Sequence, residues 1–282
     1  MNLTIPEKLA RTCSTRPDRR EWLSRLPEVV AELQARWSLS LGEPYEAAQA
    51  SWVAPVTDQP AVLKVGMPHM EADHEIDGMR FWDGEPTTHL LEFDVEGNAM
   101  LLERCDPGTP LGDQPEPEQD VILAGLLQRL WREPPEPNPF RSLSILTQRW
   151  NARAREKAGS WVDTGLVEEG MRLFEELPRT ASQHVLLATD LHAGNVLQAQ
   201  REPWLVIDPK PFVGDPAYDA TQHLFNCRER LCAQTLDTIN RFADLLEVDR
   251  HRVRAWVFAR AIITPWDHTD PTFLAIARGC AS

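Results

Sequence analysis

The sequence predicts an α+β chain of two lobes, a small strand-rich one followed by a larger helical one. Three observations lead there. Up to Glu103, short apolar runs surround a single helical pattern. Between Cys105 and Asp120 the chain becomes polar and turn-rich, in the stretch CDPGTPLGDQPEPEQD. Beyond it, apolar residues recur at helical spacing almost to the end. The lobes are placed at residues 1–104 and 105–282.

The elements follow in order. Arg19 to Trp37 reads as a helix on the spacing of Trp22, Leu26, Val29, Val30 and Leu33, with Pro27 expected to break or kink it. Ala50–Val56 and Ala61–Val65 flank a TDQP turn and predict a hairpin. Glu71 to Trp82 predicts a helix with Ala72, Ile76 and Met79 on one face, stopped by Asp83-Gly84. His89–Phe93 and Ala99–Glu103 predict a second strand pair around an EGN turn. Helices are then expected over Asp120–Trp131, Phe140–Lys157, Gly165–Glu176, Ala217–Phe225, Leu236–Leu246 and Asp249–Ile263. A Pro-rich link, REPPEPNPF, separates the first two.

Composition narrows the function. The chain has 282 residues, 42% of them hydrophobic, and a formal net charge of −14. That balance disfavours nucleic acid, whose binding rests on phosphate neutralisation by Lys and Arg. It suits a small polar or cationic partner. No apolar run reaches the roughly 18 residues of a membrane span. The first residues show no apolar block behind their charges. Five cysteines stand scattered without a CxxC pair, which argues for a reducing compartment and predicts a cytoplasmic protein. Only four of the 29 basic residues are lysines, Lys8, Lys64, Lys157 and Lys210. A lysine within an apolar strand, as Lys64 is in AVLKV, is therefore a candidate for a specific task.

The stretch His184–Asp219, HVLLATDLHAGNVLQAQREPWLVIDPKPFVGDPAYD, carries the chemistry. A strand over Val185–Leu187 ends at Asp190, Asn195 follows five residues later, and a further strand, Trp204–Ile207, ends at Asp208. Two carboxylates and an amide at the ends of neighbouring short strands are the hard oxygen donors that Mg²⁺ and a phosphoryl group require.

The pattern D-x-x-x-x-N followed by I-D-P resembles the catalytic loop and metal-binding turn of protein-kinase-like enzymes. The fuller wording, DLHAGNVL…WLVIDPKPFVGDPAYD, resembles the aminoglycoside/hydroxyurea antibiotic resistance kinases, the group that contains streptomycin 6-kinases. AVLKV, the HEIDGMRFWDG helix, LLERCDPGTPL and a C-terminal helix ending near Trp266 fall in the family's order. The resemblance implies a two-lobed protein-kinase-like fold and transfer of the γ-phosphate of ATP, with Mg²⁺, to a hydroxyl of a small molecule. It also implies roles for particular residues. Asp190 would be the catalytic base, and Asn195 and Asp208 would hold the metal. Lys64 would meet the α- and β-phosphates and Glu75 would pair with it, with Glu71 as a competitor one turn earlier. The backbone from Glu103 to Cys105 would bind adenine. Ser51, within Gln49–Trp52, would lie over the phosphates in place of a Gly-rich loop. Apart from the resemblance, Asp267 and Asp270, acidic residues near the end, are candidates for meeting guanidinium or amino groups of an acceptor.

The family writes His-Gly before the catalytic Asp, where this chain has Ala188-Thr189. That departure motivates a second reading, a nucleotide-binding pseudokinase with little turnover. A third, a metal-dependent phosphoesterase, would need further His and Asp clusters to hold two metals. Of the other polar residues here, Asp215 is expected to cap the helix starting at Pro216. Asp219 is expected to brace the catalytic loop, His192 to support it structurally, and Lys210 to be a surface or loop-fixing charge.

Overall fold

The computed structural model describes residues 3–157, 163–264 and 270–281. The chain divides into two compact units, Met1–Thr109 with Leu197–Ile207, and Pro110–Val196 with Asp208–Ser282.

The first unit opens with α1 (Glu7–Ser14) and α2 (Pro17–Trp37). Pro27 lies inside α2, which runs through it as one helix, contrary to the break expected there. Then come β1 (Ser51–Pro55), β2 (Ala61–Gly66), α3 (Glu75–Trp82), β3 (Leu90–Asp94) and β4 (Ala99–Glu103). The four strands form an antiparallel sheet in the order β1-β2-β4-β3. The helix expected from Glu71 begins only at Glu75; residues 70–74 form a turn.

Period-two alternation divides the sheet's side chains. Ala61, Leu63, Val65, Ala99 and Leu101 join Leu9, Cys13, Leu26, Val30 and Leu33 of the first two helices in one buried cluster. Met100 and Leu102 belong to a second cluster with Ile76 and Met79 of α3. Lys64, opposite Met100 in register, therefore projects from the α3 side of the sheet.

The second unit contains α4 (Glu116–Leu130), α5 (Leu143–Glu156), α6 (Thr164–Glu176) and β5 (Val185–Leu187). After β6 (Val196–Gln198) and β7 (Trp204–Val206) come β8 (Phe212–Gly214), α7 (Pro216–Asn226), α8 (Arg228–Ala233), α9 (Thr235–Leu246), α10 (Arg250–Ile263) and α11 (Pro271–Ala281). Its interior is organised on Trp256, whose ring lies 5.9 Å from that of Phe174 and 5.1 Å from that of Tyr218. β5 pairs antiparallel with β8, where Gly214 is required: a Cβ there would stand 2.5 Å from Cβ of Leu143.

The ribbon β6–β7, apart from its first residue, belongs to the first unit. Val206 bridges to Thr87, and the Thr88 N–H donates to the Val206 carbonyl at 3.1 Å. A single division after Arg104 does not anticipate this return. No helix among the described residues is long and apolar enough to cross a membrane.

Candidate active site

In the first unit, the alternation that turns Lys64 toward α3 brings its Nζ onto Oε1 of Glu75. Both are buried, with side-chain exposures of 7% and 4%. Glu75 is the first residue of its helix, where a carboxylate also suits the exposed N–H groups. Because residue 71 precedes the helix, the partner of Lys64 is Glu75.

Ser51 is buried at the start of β1, opposite Gly66. The segment after β4 is more particular than its sequence suggests. The Glu103 N–H donates to the His89 carbonyl at 2.9 Å and the Arg104 N–H to the Pro60 carbonyl at 3.0 Å. Among the described residues the Cys105 N–H donates to no backbone acceptor. The Glu103 carboxylate accepts from the His89 N–H at 3.0 Å and from Arg201 Nη2 at 2.9 Å. Burial and the neighbouring Glu103 push the Cys105 thiol up to about 12, so it stays protonated.

In the second unit, β5 delivers the chain to Ala188-Thr189-Asp190. Thr189 sits at φ 46°, a left-handed conformation that a β-branched residue rarely adopts. Three hydrogen bonds hold it there. Asp219 of α7 accepts from the N–H groups of Ala188, at 3.0 Å, and Thr189, at 2.8 Å. The Thr189 hydroxyl donates to the Lys210 carbonyl at 2.6 Å. Trp131 Nε1 also donates to Asp219 at 3.0 Å. The carboxylate thus braces the loop, as expected from its place in the sequence. Burial pushes Asp219 up to about 6, against the pull of those three donors.

Asn195 lies at the end of a single 3-10 turn, Ala193–Asn195, capped by His192, whose Nδ1 accepts from the Gly194 N–H at 3.0 Å. Burial lowers the pKa of His192 and favours its neutral form. Asn195 Nδ2 donates to the Asp190 carbonyl at 3.0 Å, which turns its Oδ1 the other way.

Asp208 is left-handed too, at φ 55°, and Lys210 Nζ contacts its Oδ1. Lys210 is only 6% exposed, and its N–H donates to the Ala188 carbonyl at 2.8 Å. It is a loop-fixing residue rather than a surface charge. Burial and the Asp208 carboxylate raise the pKa of Asp190, while Lys210 and Arg260 pull it down. Asp190, Asn195 and Asp208 thus belong to one connected set of loops. The oxygen donors of Asn195 and Asp208 are of the kind a small divalent cation takes.

Two candidates remain. Asp270 Oδ2 meets Arg228 at 3.2 Å and its Oδ1 accepts from the Thr272 N–H at 2.9 Å, so its carboxylate is already engaged. Asp267 lies outside the described residues. Asp215 caps α7 as expected, accepting from the Ala217 N–H at 3.1 Å.

A second charged cluster has no signature in residue spacing. Asp120 of α4 accepts two 2.7 Å bonds from Arg230, a third from Arg241 at 3.1 Å, and lies 2.7 Å from His223 Nε2. Asp120, His223 and Cys227 stand close enough to suggest a metal site. Two arginines already balance the carboxylate, and a cation would have to displace them.

The aminoglycoside/hydroxyurea antibiotic resistance kinase family matches this sequence over residues 36–269. A streptomycin 6-kinase from Streptomyces griseus is 34% identical, covering 99% of this chain and 98% of its own. A hydroxyurea phosphotransferase from Kitasatospora aureofaciens is also 34% identical, covering 86% of this chain and 73% of its own. Among solved structures, the choline kinase LicA from Streptococcus pneumoniae superposes with a TM-score of 0.67 at 13% identity, over 91% of this chain and 99% of its own. An aminoglycoside phosphotransferase from Streptomyces rimosus gives 0.55 at 18% identity, over 89% and 98%. These likenesses establish the protein-kinase-like fold with a small strand-bearing lobe and a helical one. With the loop of Asp190 and Asn195 and the Lys64–Glu75 pair in the family's order, the chain is a small-molecule kinase that belongs to the aminoglycoside/hydroxyurea antibiotic resistance kinases.

Proposed function

We propose that the chain transfers the γ-phosphoryl group of ATP, as its magnesium complex, to a hydroxyl of a cationic aminoglycoside of the streptomycin type. The observation that carries this reading is the 34% identity to a streptomycin 6-kinase across nearly the whole of both chains.

Asp190 accepts the proton of the acceptor hydroxyl and orients its oxygen for in-line attack. Its raised pKa makes it a stronger base than an exposed aspartate. Asn195 and Asp208 would hold Mg²⁺. When bound, that ion neutralises phosphate charge and aligns the transferring group. In the first unit, Lys64, aimed by Glu75, offers its ammonium to the α- and β-phosphates. The Cys105 N–H is the remaining donor for an adenine edge, and the backbone at Ser51 covers the phosphates. Cytosolic ATP fits this reading and five cysteines that are all free.

The Ala188-Thr189 departure does not favour the pseudokinase alternative. Thr189 holds the left-handed conformation that a glycine would supply, and Asp219 still grips both amides.

The test is ADP release with Mg-ATP across streptomycin, other aminoglycosides, hydroxyurea and simple polyols. Asp190→Ala serves as the blank. Streptomycin-dependent release that vanishes in the variant is expected, with nucleotide binding retained. Release only with hydroxyurea or a polyol would reassign the acceptor. Nucleotide binding with no release on any acceptor would return the pseudokinase.

A further inference from the structure

We propose that Lys210 is a built-in counter-ion of the divalent-cation site, an ammonium that pairs with Asp208 and must give way when the metal is bound. The inference rests on the reading of Asp208 as a metal ligand.

Four observations lead to it. First, the chain uses lysine sparingly, and of its four lysines only Lys64 and Lys210 are buried. Burying an ammonium is costly unless it is paired, so a buried lysine here meets a specific demand. Second, the main chain of Lys210 is fixed on both sides. Its N–H is bound to the Ala188 carbonyl at 2.8 Å, and its carbonyl accepts the Thr189 hydroxyl at 2.6 Å. Its side chain therefore starts from a rigid base within the catalytic loops.

Third, its Nζ lies on Oδ1 of Asp208, two residues away. Asp208 keeps a left-handed φ of 55°. Fourth, the residue type suits a temporary partner. An arginine would grip the carboxylate through a two-pronged fork, whereas an ammonium is a compact point charge on a flexible stem. The chain carries arginine nearly everywhere else, so lysine at this place is informative.

The consequence is competitive. Lys210 and a divalent cation are like charges that both require Asp208, and their repulsion at a few ångströms is strong in a partly buried setting. A metal arriving alone must displace Lys210 from its carboxylate. A metal arriving with a nucleotide brings phosphate oxygens that receive the displaced ammonium. Lys210 thus acts as a positioning residue, favouring the loaded nucleotide over the bare ion.

The experiment is a titration of nucleotide-free protein with Mn²⁺, followed by electron paramagnetic resonance. It compares wild type, Lys210→Met, Lys210→Gln, Lys210→Arg, Asp208→Asn and Lys210→Met/Asp208→Asn, and Mg-ATP binding is titrated alongside. Removing the charge is expected to tighten Mn²⁺ binding by about tenfold or more, equivalent to about 1.4 kcal/mol, with Lys210→Arg falling below wild type because its fork holds Asp208 more firmly. The double variant should lose the gain. A merely structural lysine predicts the opposite sign, because a slackened loop binds metal no better. Unchanged or weaker binding in Lys210→Met or Lys210→Gln therefore overturns the proposal. So does failure of both to fold while Lys210→Arg folds with wild-type Mn²⁺ affinity unrelated to Asp208. If Asp208→Asn alone leaves metal and Mg-ATP binding intact, the metal-ligand reading itself fails. If it abolishes them while Lys210→Met does not tighten Mn²⁺, only the counter-ion assignment falls.

Discussion

The hydroxyl of Thr189 donates to the carbonyl of Lys210 at 2.6 Å, joining the residue before Asp190 to the residue two places beyond Asp208. A glycine, which the family pattern has here, cannot make that bond. The left-handed conformation at Thr189 costs about 1–2 kcal/mol, and the hydrogen bond offsets about 0.5–1.5 of it. Thr189→Gly relieves the strain while losing the bond, so its stability should stay within about 1 kcal/mol of wild type. Thr189→Val keeps the strain and takes the hydroxyl from a buried carbonyl, at a cost of about 1–3 kcal/mol. Thermal melts should place Val below Gly. The reverse order would mean that the hydroxyl contributes nothing.

Asp219 is the second hold on that loop, and its pKa of about 6 gives a pH signature. The folded group keeps its proton to higher pH than the unfolded one, whose pKa is near 3.8. Its effect on stability is therefore most favourable below about pH 4, declines as pH rises to about 6, and is level above. Activity runs the other way, because both carboxylate oxygens must accept from the amides of Ala188 and Thr189. The wild-type kcat should rise with pH through about 6. Asp219→Asn turns one acceptor into a donor facing other donors. It should flatten that rise and lower kcat by up to about a hundredfold, the cost of misplacing a reacting group by about 1 Å. A kcat profile from about pH 5 to 8 on both proteins decides it.

Periodicity made the sheet and the long helices of this chain readable, since Leu63, Val65 and Leu101 alternate cleanly and Val253, Trp256 and Val257 share a stripe. It could not reveal α8, whose six residues complete too few turns for a pattern. Nor did it reveal α11, which follows a Thr-Asp-Pro cluster that reads as an ending, or α1 beside a Pro and charge-rich start. The first turn of α4 was hidden for a similar reason, because PEPEQ looks like a linker while Pro117 is well tolerated near a helix start. That Asp190, Asn195 and Asp208 stand on neighbouring loops was legible because they are close in sequence. Thr189 at positive φ was not, since a β-branched residue rarely adopts such a conformation. The brace on the loop comes from Asp219, about thirty residues away; its place on the helix after Pro216 was the signal for it.

The pair Lys64–Glu75 separates stability from nucleotide binding. Removing one member of a buried pair leaves the other uncompensated, so Lys64→Met should cost about 3–5 kcal/mol. The double variant Lys64→Met/Glu75→Leu buries no charge there and should recover most of that loss. Neither should recover ATP affinity if the ammonium contacts phosphate. Denaturant midpoints measure the first effect and nucleotide titration the second. ATP affinity returning with stability would mean that Lys64 serves the fold alone.

Asp120 provides the contrasting case, a charged cluster that holds helices together. It ties α4 to His223 on α7, Arg230 on α8 and Arg241 on α9, partners up to 121 residues away along the chain. Burial works to raise its pKa, but hydrogen bonds from Arg230 and His223 outweigh that and hold the carboxyl far below the ordinary range. A depressed carboxyl contributes its stability in full above the unfolded pKa and loses it only as pH falls through the folded value. The contribution is therefore constant from about pH 5 upward, where the unfolded group is ionised as well. Asp120→Ala leaves Arg230 and Arg241 without their shared carboxylate and should cost about 3–5 kcal/mol, the penalty of breaking a buried pair. The molecules that remain folded should keep the wild-type kcat, because none of these hydrogen bonds reaches Asp190, Asn195 or Asp208. Chemical denaturation combined with kcat per folded molecule distinguishes the two roles. An unchanged midpoint with a lowered kcat would place this cluster in the chemistry instead of the scaffold.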